Sequence, residues 1–210
     1  MFEQEAGKFV LWCLFLCCGL FGMLACAPSL VNPDQKPDDL KLKTIPGKVL
    51  AVAEVDGFTQ MRVNASNQEQ WVYVDVVQKK VLPVEKAEND RRWHLGFRRY
   101  FIKTNSGSSG SGEVRVALIQ DRDFAAFQEP PQSGFATDQA GGKPEEPQSV
   151  FRAQGEWYYY DLWKHVLTPR PEFFYVVQIG KVVYKMQMLG YYDENGNSGF
   201  PSFRVKRLKD

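Results

Sequence analysis

The stretch that decides the fold runs from Tyr175 to Met186, "YVVQIGKVVYKM". Two runs of β-branched and aromatic residues flank Gly180-Lys181. Glycine at the first central position suits a two-residue type II′ hairpin, because it takes positive φ without steric cost. In extended geometry Val182, Tyr184, Met186 and Met188 share one face, while Val183, Lys185, Gln187 and Leu189 share the other. The first set reads as a core face, although apolar residues occur on both.

The same texture extends outward in both directions. "KVLAVAEV", "FTQMRVNA", "QWVYVDVV", "RRWHLGFRRYFIKT", "EVRVALI", "SVFRA", "EWYYYDLWKHVLT", "EFFYVVQI" and "SFRVKRL" are short runs rich in Val, Ile, Phe, Tyr and Trp, separated by turn residues. Such residues suit a pleated, half-buried surface. No stretch keeps a helical period beyond about ten residues, below the ~11–12 of a mean helix. The expectation is an all-β fold: a single antiparallel β domain of many short strands and hairpins, spanning residues 45–210. With 44% hydrophobic and 14% aromatic residues in 210, one sizeable core is affordable. A net charge of +1 supplies no field for nucleic acid, so no nucleic-acid partner is expected.

Ahead of the domain lies "FVLWCLFLCCGLFGMLA", an apolar run that ends at Cys26. It reads as a secretory segment over residues 1–25, with an uncleaved membrane anchor as the alternative. Glu3 and Glu5 outnumber Lys8 where a basic flank is usual. "MLAC" resembles a bacterial lipobox, so Cys26 is the expected lipidation site, with palmitate among its acyl chains. All four cysteines lie at or before Cys26, and no intramolecular disulfide would survive cleavage. Residues 26–44 then form a tether rich in Pro, Asp and Lys. The localisation expected is the bacterial cell envelope, at the outer membrane or cell surface, with the membrane contacted through the lipid anchor.

Residues 129–148, "EPPQSGFATDQAGGKPEEPQ", carry four prolines and three glycines. They are expected to be a surface loop or disordered, since connections of that length are uncommon inside a domain.

Two blocks resemble the HmuY family of bacterial lipoproteins. One is "WHLGFRRYFIKTNSGSSGSGEVRVAL". The other is "WYYYDLWKHVLTPRPEFFYVVQIGKVVYKMQMLGYYDENGNSG". The resemblance implies an HmuY-like all-β fold, anchoring through a lipidated cysteine and, for the best-known members, haem capture outside the cell. His94 stands where the family pattern usually has Asp, and Gly96 where it usually has Ala. Ligation differs among members, so the ligand set has to be sought in this chain's own residues.

Haem iron needs a nitrogen or sulfur donor, and the chain after Cys26 offers His94, His165, Met61, Met186 and Met188. If "WYYYDLWKH" is extended, Trp157, Tyr159, Asp161, Trp163 and His165 share a face, and the rings could wall a flat macrocycle. The alternative is a hydrogen-bonded histidine beside core aromatics. His94 would alternate with Gly96, Arg98 and Tyr100, and the missing side chain at Gly96 would leave room beside it. A polar-face histidine is the competing reading. Met186 and Met188 are candidate axial ligands or plain core residues. Arg98 and Arg99, with Arg91 and Arg92, could pair propionates or neighbouring carboxylates.

"YYDENGNSG" spaces Asp193, Asn195 and Asn197 as a calcium loop begins, but the glycine and the closing glutamate are out of place, and a turn explains it better. No catalytic motif is present, so a binding protein is expected, not an enzyme. The partners expected are haem or a haem-carrying protein, and an outer-membrane protein. The rival expectation is a structural or partner-binding lipoprotein of the same fold that takes no haem.

Overall fold

The computed structural model describes residues 43–44, 50–141 and 148–208. The expected secretory segment, Cys26 and most of the expected tether lie outside the described residues.

Among the described residues thirteen strands follow in order: β1 (Lys43–Thr44), β2 (Leu50–Val55), β3 (Phe58–Val63), β4 (Val72–Asp75), β5 (Lys80–Leu82), β6 (Leu95–Arg98), β7 (Phe101–Thr104), β8 (Val114–Gln120), β9 (Tyr158–Asp161), β10 (Val166–Pro169), β11 (Phe173–Ile179), β12 (Val182–Tyr192) and β13 (Ser198–Arg207). One turn of helix, α1 (Val150–Ala153), precedes β9. The pairing is antiparallel throughout, in a seven-stranded sheet ordered β1-β2-β3-β13-β12-β11-β8, a four-stranded sheet ordered β5-β4-β6-β7, and the hairpin β9-β10.

The opening stretch folds as its residues dictate. Ile179 pairs with Val182 across Gly180-Lys181. Gly180 has φ +57° and Lys181 does not share that sign, as a type II′ turn requires. "YYDENGNSG" is likewise a turn: the Asp193 carboxylate accepts the N–H groups of Asn195 and Asn197, closing β12 onto β13.

Three expectations fail locally. "RRWHLGFRRYFIKT" is a hairpin, not one strand, because the chain reverses at Arg99, whose φ is +54°. "SVFRA" forms α1, and its apolar residues Val150 and Phe151 are buried from that helical turn. "EWYYYDLWKHVLT" breaks into β9 and β10 around a four-residue connection.

The main core lies between the two larger sheets. Met61, Val63, Tyr175, Val177, Met186, Met188, Phe203 and Val205 from the seven-stranded sheet meet Val74, Leu95, Phe97 and Ile102 from the four-stranded one. Phe97 and Phe203 stack at 5.3 Å across the seam. Deleting a ring there costs roughly 3–5 kcal/mol by cavity formation.

The reverse face of the long sheet, which also carries apolar residues, is covered as well. Phe124, Phe174, Val176, Ala117 and Leu208 form a second cluster beneath the segment after β8. Lys185 is fully buried there, and its Nζ donates to the carbonyls of Phe124 (2.6 Å), Ala125 (3.1 Å) and Phe127 (2.6 Å). Three acceptors match the three donors of an ammonium, so this lysine stitches the covering segment to the sheet.

The segment expected to be plain loop is ordered where it is described. Ala136 bridges Val116 on the outer edge of β8, and the buried Asp138 carboxylate accepts the N–H groups of Thr104 (2.9 Å) and Val150 (3.0 Å). Residues 142–147 lie outside the described residues.

Candidate functional site

The block containing His94 is closed on itself. Trp93, Leu95 and Phe97 point into the core with no exposed surface. The His94 N–H donates to the Val74 carbonyl, and its own carbonyl accepts from Asn105. The ring is spent the same way, since Nδ1 accepts the Val76 N–H at 3.1 Å and lies 3.3 Å from Asp75 Oδ1. Burial pushes the imidazole below its usual pKa, and Asp75 opposes this in part. A neutral ring with its proton on Nε2 fits an Nδ1 that accepts. His94 therefore ties β4 to β6.

Gly96 does not leave room for a ligand. A Cβ there would lie 3.1 Å from the Lys103 side chain, which fills the space. The Lys103 ammonium sits 4.4 Å from the Trp71 ring centroid and 5.0 Å from that of Tyr73, and burial lowers its pKa to about 8.

The small-residue tail after β7 is a knot rather than a linker. Thr104, Asn105 and Ser106 are buried. Asn105 Nδ2 donates to the carbonyls of Asp90 (2.7 Å) and Trp93 (2.8 Å), and its Oδ1 accepts the Gly112 N–H (3.0 Å). Gly110 is needed because a Cβ there would fall 2.1 Å from Asn105 Oδ1.

The arginine candidates separate. Arg99 donates to the carbonyls of Ser66 and Ser198 and to Ser198 Oγ, so it clamps the turn rather than waiting for a carboxylate. Arg98 lies over the rings of Trp71 (4.8 Å) and Phe101 (5.5 Å). Met186 and Met188 are core residues, with Met186 fully buried, so neither sulfur reaches a surface ligand without opening the main core.

The β9–β10 hairpin is built differently. Its base is anchored: Trp157 and Leu167 belong to the core, Trp157 Nε1 donates to the Tyr100 carbonyl, and the Leu167 N–H donates to Tyr192 Oη. Its tip is apolar and open to water, with Tyr159 and Tyr160 half exposed, Leu162 at 74% and Trp163 at 95%. Exposed aromatic residues grouped on one element mark an interaction surface more often than scattered ones do.

The Asp161 carboxylate accepts the N–H groups of Trp163 and Lys164, bending the chain into a turn, and His165 leaves that turn with φ +53°. The shared face expected for Trp157, Tyr159, Trp163 and His165 is therefore absent. Trp157 faces the core. Tyr159 donates to Glu172 and lies under Arg170, whose Cζ is 4.3 Å from the ring centroid. The neighbour of His165 is instead Tyr160, whose Oη is 2.9 Å from His165 Nδ1. Sequence reasoning missed Tyr160. The available signal was the aspartate two residues before Trp163, a residue type that starts turns by accepting backbone N–H groups.

A hollow of about 20 Å³ lies at the base of this hairpin among Tyr100, Phe101, Phe151, Arg152 and Tyr158, far below the ~300–1,000 Å³ of ordinary ligand pockets. Another, of about 300 Å³, is lined by Ser106, Glu113, Arg115, Thr137 and Gln178 and carries no imidazole.

Two antiparallel sheets with a core-anchored aromatic hairpin define an all-β, two-sheet protein. The chain belongs to the HmuY family, whose model matches residues 67–205. Its fold is similar to that of a Bacteroides fragilis protein assigned as a lipoprotein, at 16% identity over 81% of this chain and 96% of the other, with a TM-score of 0.55. It is similar also to a Bacteroides vulgatus protein assigned as an HmuY-like haem-binding protein, at 15% identity over 73% and 95% of the two chains and a TM-score of 0.55. A Tannerella forsythia HmuY analogue, in its apo form, is 13% identical over 73% and 96%, with a TM-score of 0.54. Comparison with curated proteins found no match.

Proposed function

We propose that this protein is an envelope lipoprotein that captures haem, and that the β9–β10 hairpin is where haem is held. The observation that carries the reading is the hairpin tip: exposed aromatic residues and a surface imidazole paired with Tyr160, on an element whose base is fixed in the core. Membership of the HmuY family supports it. The donor set fits the ligand, since imidazole nitrogen is a standard haem donor and ring faces bury a flat macrocycle well. His165 is the nitrogen offered at that surface, and Trp163 is the ring free to fold over a ligand. Arg98 remains the arginine candidate for a propionate.

Haemin titration into the detergent-purified protein tests the reading. A Soret shift is expected in the parent and in His94→Ala, and its loss in His165→Ala. A flat titration of the parent refutes haem capture. In the same reading residues 1–25 are removed, Cys26 is acylated and residues 26–44 tether the domain. Labelled palmitate should enter the parent and not Cys26→Ala.

A second reading is favoured by one observation: His94 is spent on structure, leaving a single accessible imidazole. The hairpin would then bind an outer-membrane protein without haem. Recovery of one such partner by apo protein, together with a flat haemin titration, would support that reading.

A further inference from the structure

We infer that Tyr160 is a positioning residue that determines which nitrogen of His165 meets the iron. The inference rests on the haem reading. Of the two phenols at the hairpin tip, Tyr159 is held on the other side of β9 by Glu172 and Arg170. Tyr160 alternates with it and places its oxygen 2.9 Å from His165 Nδ1. The positive φ of His165 turns the residue out of the strand direction, a conformation that is strained outside glycine and persists when surroundings hold it.

An iron-bound histidine almost always hydrogen-bonds through its second ring nitrogen, which orients the ring and makes the bound nitrogen more basic. Here Nδ1 is the nitrogen already engaged, so Nε2 is the one left to donate its lone pair. With Nε2 on iron the ring proton resides on Nδ1, and Nδ1–H donates to Tyr160 Oη. No proton leaves the pair, and the phenol keeps its own, turned to solvent.

The test compares Tyr160→Phe with His165→Ala. Tyr160→Phe keeps the ring and removes only the oxygen. Its haemin affinity should fall about tenfold, in the range found when such outer partners are removed. In the ferrous complex the iron–histidine stretching band should move to lower frequency, because the ring loses its acceptor; a merely structural role for the phenol would not move that band. His165→Ala should abolish the band.

Three results would overturn the proposal. Tyr160→Phe could leave both affinity and band unchanged, or the band could survive in His165→Ala. The parent could also show a phenolate charge-transfer spectrum that Tyr160→Phe removes, which would make Tyr160 the ligand itself. Each of these leaves haem capture standing, whereas a parent without a Soret shift ends both readings.

Discussion

Around His94, the segment from Trp93 to Gly112 closes on itself through buried hydrogen bonds. Around His165, the hairpin from Trp157 to Pro169 keeps its base in the core and turns its tip to water. Both segments resemble the family in sequence, yet the imidazole of the first is buried in structural bonds and that of the second is exposed. The first spends its polar groups internally: Asn105 on two carbonyls and an N–H, His94 on Val76 and Asp75, Arg99 on Ser66 and Ser198. Resemblance to a family thus extends to residues that make its fold, and burial identifies them.

The sharpest break in this contrast is Asn105→Ala, which removes the partner of the buried Trp93 carbonyl and of two part-buried groups, the Asp90 carbonyl and the Gly112 N–H. At roughly 1–3 kcal/mol for a buried unsatisfied group, the loss should reach about 3 kcal/mol or more, read from the urea midpoint. A stability within error of the parent would mean that the knot is not structural.

Next comes Lys103. Its folded pKa of about 8 lies below the ~10.4 of an unfolded lysine. Between those values the unfolded chain holds a proton that the folded one has released, so stability rises with pH across that window and is lowest below it. Urea unfolding at pH 7.5 and 9.5 should show a rise of 1 kcal/mol or so, absent in Lys103→Met.

A smaller effect is expected on the acid side from His94. Its folded pKa is depressed, so as pH falls below the ~6.5 of a free histidine the unfolded chain takes up a proton that the folded chain resists. Stability should therefore decline through that range. His94→Gln, which can still accept from Val76, should flatten the slope.

The smallest stability effect belongs to the hairpin tip. Trp163→Ala should change unfolding free energy by no more than ~0.5 kcal/mol, as for other surface substitutions, while haemin affinity falls several-fold. Equal losses of stability and affinity would place Trp163 with the first region.

Legibility in the sequence followed the range of the interactions. The Gly180-Lys181 hairpin and the Asp193 turn were readable because both are decided within a few residues, by the φ that glycine allows and by the backbone N–H groups an aspartate accepts. The face of β12 carrying Met186 and Met188 was readable from alternation. The opposite face was not, since Lys185 looks polar in sequence and is buried only because three carbonyls from residues 124–127 arrive to meet its ammonium. Gly96 failed for the same reason, its apparent vacancy being filled by Lys103 from the neighbouring strand. At the hairpin, His165 was singled out from its residue type and from a shared aromatic face that does not form. Its true neighbour, Tyr160, was hidden by treating a turn as a strand.

What the amino-acid sequence determined by itself was the all-β character, the positions of the short-range turns and the small stock of donors from which any haem site must be drawn. Tertiary structure alone decided which of those donors remain available. Alternation and turn chemistry act over two to four residues and are written locally. The availability of a side chain depends on whether distant backbone groups have already satisfied it, and only packing brings those groups within hydrogen-bonding reach.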